Sequence, residues 1–192
     1  MPTTPAHDVR KPTIILIVGN ISAGKTTLAD SLSRVSGATR LSSDDIFKEN
    51  KKDPFPELLR RVENTLAYGD SSIVDTTGSS VALQENIARH RSIGTQVFVI
   101  RLECQSASQE TRDAIRVDRK SLGEVYWKQS LADSKLIPSN LDIATDNLTR
   151  EQILEVVLDA LPPTSGFVTR PDRKLVTPVA NKKKRFFWER NT

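Results

Sequence analysis

Residues 14–27 read IILIVGNISAGKTT, and this stretch decides the fold of the chain. Ile14-Ile15-Leu16-Ile17-Val18 is uncharged, mostly β-branched and closed by a glycine, the pattern of a parallel strand buried on both faces. Gly19, Gly24, Lys25 and Thr26 follow in the spacing G-x-x-x-x-G-K-T. That spacing is a phosphate-binding loop, and each residue type in it has a physical reason. The two glycines let the backbone turn with no Cβ in the way. Successive N–H groups along Asn20, Ile21, Ser22 and Ala23 can then point at phosphate oxygens. Lys25 places an ammonium on the β- and γ-phosphates, and Thr26 offers a hydroxyl to Mg²⁺. Beyond Thr27, Leu28, Ala29 and Leu32 continue as a helix whose positive N-terminus faces the anion. Residues 19–27 therefore predict a bound nucleoside triphosphate with Mg²⁺.

Working outward, residues 1–12 read as a flexible leader. The first helix runs from Lys25 to about Val35, and Thr39–Leu41 forms a short second strand. Ser42-Ser43-Asp44-Asp45 follows, with a helix opening at Ile46-Phe47. After Pro54 and Pro56, the spacing of Leu58, Leu59, Val62 and Leu66 predicts an amphipathic helix ending at Tyr68-Gly69. Ser72–Asp75 is the third strand, and a helix covers about 81–91. Gln96–Leu102 is the fourth strand, with helical segments over about 108–117 and 124–136. Leu141–Thr145 is the fifth strand. Thr149-Arg150-Glu151-Gln152 is a capping box that starts a last helix through about Leu161. Alternation of this kind predicts an α/β three-layer sandwich, a five-stranded parallel sheet flanked by helices, with ligands at the carboxyl ends of the strands.

The chain has 192 residues, 37% hydrophobic and 27% charged, which suits one domain over 13–163 with a tail over 164–192. A single cysteine, Cys104, excludes an intrachain disulfide and suits a reducing, cytoplasmic setting. No apolar run is long enough to span a bilayer, so no membrane role is expected. The net charge of +4 is uneven: residues 166–192 carry eight basic and two acidic side chains, leaving the rest slightly acidic. Lys182-Lys183-Lys184-Arg185 with Phe186-Phe187-Trp188 mixes cations and aromatics. Residues 170–190 thus suit nucleic-acid contact, nuclear targeting in a eukaryotic cell, or a merely solubilising end.

Chemistry concentrates after strands two, three and four. Asp44 or Asp45 lies about twenty residues beyond Lys25, where a carboxylate accepts a hydrogen bond or proton from an incoming hydroxyl. The same residues also make an ordinary helix N-cap. Asp75 closes the third strand, where an acid holds Mg²⁺ beside Thr26. Thr77-Gly78-Ser79 supplies amides and hydroxyls suited to a phosphate or polar acceptor, or else to a plain cap. Arg112, Arg116, Arg119 and Lys120 fall in a segment, about 105–136, that reads as a cationic lid or as a solvated basic face.

With these residues in view, about Ile14 to Leu161 resembles the small P-loop kinases: shikimate kinase, gluconate kinase, adenylate kinase and the kinase half of polynucleotide 5′-kinases. LSSDDIF is similar to their strand-two acid motif, with Asp44 the better match to the acceptor-side aspartate. IVDTTGS stands where shikimate kinases carry a glycine triplet. Arg112 and Arg119 look like the adenine-side and lid arginines, and the turn before the last helix looks like the one that closes over adenine. The resemblance implies ATP and Mg²⁺ as cofactors, Lys25, Asp44 and Arg119 as catalytic groups, and Arg112 and Arg116 as further ATP contacts. It implies an acceptor pocket holding Asp44, Asp45, Thr77, Gly78 and Ser79. Where shikimate kinases place an arginine directly after a phenylalanine, Phe55 is followed by Pro56, and Arg60 or Arg61 could substitute from the next turn. The expected activity is transfer of the γ-phosphate to a hydroxyl or phosphate of a small molecule or nucleotide. A polynucleotide 5′-hydroxyl kinase using the tail, a deoxynucleoside kinase and a non-catalytic ATP-switched binding protein are the alternatives.

Overall fold

The computed structural model describes residues 11–50, 53–115 and 123–163. Five strands, β1 (Thr13–Gly19), β2 (Thr39–Ser42), β3 (Ser72–Asp75), β4 (Gln96–Glu103) and β5 (Leu141–Ala144), pair in parallel in the order β2-β3-β1-β4-β5. The helices are α1 (Lys25–Ser36), α2 (Ser43–Asn50), α3 (Phe55–Ala67), α4 (Val81–Ser92), α5 (Ser106–Ala114), α6 (Gly123–Ser134) and α7 (Arg150–Ala160). The predicted α/β sandwich is the observed one.

Every residue of β1 is buried, and its alternation builds two cores. Ile15 and Ile17 face Leu28 and Leu32 of α1 and Ile153 and Val157 of α7. Ile14, Leu16 and Val18 face Leu58 and Val62 of α3 and Leu83 and Ile87 of α4. Strand β1 is thus the shared floor of both helical layers. A strand buried on both faces needs this unbroken apolar run, at roughly 1.5–3 kcal/mol per buried side chain.

Element boundaries depart from the sequence reading in one place that matters. Helix α2 starts at Ser43, not at Ile46, so Asp44 and Asp45 form its first turn instead of leading into it. Carboxylates there complement the helix's positive end. Helix α3 also starts early, at Phe55, because a proline at the second helical position is tolerated where no N–H partner exists. The Thr149 capping box is present in full. Residues 1–10 of the expected leader and the basic tail lie outside the described residues, as does the stretch 116–122 within the expected lid.

Candidate active site

Strand register brings the site together. Asp75 pairs with Ile17 of β1 and Ser42 of β2, so three strands end side by side. The loop 19–24 leaves β1 at that edge and enters α1. Gly19, with φ of 148°, lies so close to β4 that a Cβ would come within 2.0 Å of the Leu102 carbonyl oxygen. Gly24 caps α1 in the left-handed region at φ 93° with open space around it. Ser22 is the one described non-glycine residue with positive φ, at 64°.

The loop is anchored from three sides. Asn20 is 1% exposed. Its Nδ2 donates to the Cys104 carbonyl at 2.8 Å, while the Cys104 N–H donates to Asn20 Oδ1 at 3.1 Å. The Ile21 N–H donates to Ser130 Oγ of α6 at 3.1 Å. Arg112 Nη1 donates to the Ser22 carbonyl at 3.4 Å and to Thr145 Oγ1 at 3.0 Å, tying α5 to the turn after β5. The Asn20 side chain is therefore engaged with the end of β4, while the contact expected of this residue at the nucleotide is its backbone N–H. Burial pushes the Cys104 thiol above its usual range, with nearby Asp146 adding to the shift and Arg112, Asn20 and Lys25 opposing it.

One cleft of about 760 Å³ runs over the loop. Ile21 to Leu28 form its floor. Arg40, Asp44, Asp45, Lys48, Asp75 and Thr77 line one end, and Arg112, Ile115, Thr145, Leu148, Arg150 and Ile153 line the other. Lys25 Nζ donates to the Gly19 and Asn20 carbonyls, each at 3.0 Å. Thr26 Oγ1 donates to Asp75 Oδ2 at 2.7 Å. Burial drives the Asp75 carboxyl above its ordinary range, while Lys25, Thr26 and Arg40 act against that shift.

The two neighbouring aspartates are distinguished by their partners. Asp45 accepts from Arg40 at 2.8 Å and lies 3.6 Å from Lys48. Asp44 is exposed at the cleft and has no hydrogen-bond or ion-pair partner among the described residues. Arg40, unmarked in the sequence reading, sits between three carboxylates: Asp30 at 3.2 Å, Asp45 at 2.8 Å and Asp75 at 3.5 Å. Alternation in β2 puts Arg40 on the α1 side of the sheet, in register with Ile73, and that is why Asp30 of α1 reaches it.

Other expected site residues lie elsewhere. Arg60 and Arg61 bond to Glu57, and Arg61 also bonds to Glu49 of α2; neither lines the cleft. Gly78 packs 3.3 Å from Val18 and 3.4 Å from the Asp133 carbonyl, measured from an added Cβ. The cap of α4 is Ser80, which accepts from the Leu83 N–H, so the Thr77-Gly78-Ser79 stretch is not the cap. Arg116, Arg119 and Lys120 lie outside the described residues.

The Thr26–Asp75 pair suits a hard cation. It offers one hydroxyl and one buried carboxylate, whose charge burial disfavours unless a cation compensates. Among the described residues no group of three or more His, Cys, Asp or Glu side chains could hold a metal. A pair of this kind could hold Mg²⁺, which takes one or two protein oxygens and fills its shell with phosphate and water. No helix among the described residues is long and apolar enough to cross a membrane.

Comparison with solved structures finds the same fold in kinases. A candidate kinase from Chloroflexus aurantiacus j-10-fl superposes with a TM-score of 0.62 at 16% identity, over 79% of this chain and 100% of that one. The APS kinase CysC of Mycobacterium tuberculosis, solved with AMPPNP and APS, gives 0.54 at 16% identity over 78% and 97%. Shikimate kinase from Acinetobacter baumannii, in complex with shikimate, gives 0.50 at 20% identity over 78% and 92%. No curated protein matches the sequence. Residues 14–137, well over half of the chain, match the model of the AAA domain family. The chain therefore belongs to the AAA domain family and carries it on the fold of the small P-loop kinases.

Proposed function

We propose that the protein is an ATP-dependent kinase that moves the γ-phosphate of ATP to a small-molecule or nucleotide acceptor. The observation that carries this reading is a single cleft lined by the phosphate-binding loop, the Thr26–Asp75 pair and the Asp44 carboxylate, which has no partner among the described residues. Lys25 and the first-turn amides of α1 would hold the phosphates, and Thr26 and Asp75 would hold Mg²⁺, which supplies charge neutralisation when bound. The end formed by Arg112, Ile115, Thr145 and Leu148 is the adenine side. Asp44 receives the acceptor hydroxyl and orients it for in-line attack, taking its proton. Asp45 is held by Arg40 and serves position, not proton transfer. Arg119 with Arg112 or Arg116 would complete the charge on the transferred group.

The test is phosphotransfer from γ-labelled ATP with Mg²⁺ to pooled nucleosides, nucleoside monophosphates, 5′-hydroxyl oligonucleotides and small polyols. Label on one pool, lost in Asp44→Asn, is the expected result. Free labelled phosphate alone, from wild type, would refute the reading.

A further inference from the structure

Resting on that kinase reading, we propose that the acceptor is a neutral or cationic hydroxyl compound, of the sugar, polyol, nucleoside or amino-alcohol class, and not a carboxylate or a phosphate. The charges at the β2–α2–β3 end of the cleft carry this assignment. Among the described residues lining it, the carboxylates are Asp44, Asp45 and Asp75 and the cations are Arg40 and Lys48. Both cations lie against acids: Arg40 is within 3.5 Å of Asp30, Asp45 and Asp75, and the exposed Lys48 is 3.6 Å from Asp45. Among the described residues, the charge left to meet an incoming molecule there is the Asp44 carboxylate.

Two further arginines that could have supplied a carboxylate clamp are taken. Arg60 and Arg61 of α3 each lie 2.7 Å from Glu57, and Arg61 lies 2.8 Å from Glu49. A site built for a carboxylate or phosphate leaves a bidentate arginine open to receive it. Here Arg40, the one described arginine lining the acceptor end, lies within 3.5 Å of three acids. A second anion beside Asp44 would meet like charge, which selects against it by at least about a hundredfold. A hydroxyl donates to Asp44, and an ammonium group is drawn to it. Arg40 is in this account a positioning residue: it holds Asp45 off the acceptor and leaves Asp44 open.

The experiment uses the full chain and needs no known acceptor. A small-molecule extract is split on an anion-exchange resin at neutral pH into a flow-through of neutral and cationic compounds and a retained anionic fraction. Each is incubated with protein, Mg²⁺ and γ-labelled ATP, and AMPPNP binding is measured by calorimetry on the same sample. Label entering compounds of the flow-through, at least about a hundredfold above the retained fraction, is the expected result. Label entering mainly retained compounds overturns this assignment while leaving the kinase reading intact. Label entering neither fraction refutes the kinase reading itself, and with it the acceptor class. Asp45→Asn releases one arm of Arg40 and should raise labelling of the retained fraction about tenfold. An unchanged ratio between the fractions in that variant would remove Arg40 from the selectivity.

Discussion

Thr26 and Asp75 are 49 residues apart in sequence, yet the threonine hydroxyl donates to the aspartate carboxylate at 2.7 Å. The bond joins the first turn of α1 to the end of β3 and defines where a cation would sit between the loop and the sheet. Burial disfavours the Asp75 charge, so a divalent cation arriving with ATP should stabilise the fold by relieving it. Mg²⁺ with AMPPNP should raise the melting temperature of the wild type by several degrees and that of Asp75→Asn by much less. Equal shifts in both proteins would remove Asp75 from the cation site.

The two glycines of the loop are required for different reasons, and their alanine variants should differ accordingly. At Gly19 an added methyl would collide with the backbone of β4, 2.0 Å from the Leu102 oxygen, and neither strand of the central pair can yield. Gly19→Ala should cost at least about 3 kcal/mol or prevent folding. At Gly24 the space is open, and only the left-handed backbone opposes a side chain, at about 1–2 kcal/mol. Urea denaturation of the two variants would show it, and similar losses at both positions would contradict the close-approach argument.

Glu57 governs an acid-dependent piece of stability. Hydrogen bonds from Arg60 and Arg61, with the charges of both arginines behind them, hold its carboxyl at about 2 against an ordinary 4.5. Because the folded value lies below the unfolded one, the contribution is complete above about pH 4.5 and is lost as the pH falls through about 2. Glu57→Gln should flatten the stability profile across that window, measured by chemical denaturation at a series of pH values. An unchanged acid limb would show that the pair is silent, as exposed ion pairs often are.

Much of this was legible in the sequence because the deciding signals are local. The apolar run Ile14–Val18, the loop spacing and the Thr149 capping box are read within a few residues, and all three appear as expected. Arg40 was not legible. It is one arginine in a four-residue strand, and its three partners come from α1, α2 and β3. The difference in partners between Asp44 and Asp45 follows from the same contacts, which sequence adjacency does not show. Arg60 and Arg61 show the converse. Their spacing from Glu57 is that of i,i+3 and i,i+4 pairs, and the structure forms both pairs without bringing either arginine to the lining of the cleft. Asn20 sits inside the phosphate-binding motif, but its amide pairs with Cys104 at the end of β4, a contact only the sheet order reveals.

The most direct test of the central claim separates nucleotide binding from transfer in one variant. Once an accepting pool is identified, Asp44→Asn and wild type are compared by AMPPNP calorimetry and by the rate of label transfer from ATP. The account predicts nucleotide affinity within about twofold of wild type and transfer slowed by at least about a hundredfold. Full transfer by Asp44→Asn would contradict the role given to this carboxylate and return the acceptor side of the cleft to an open question.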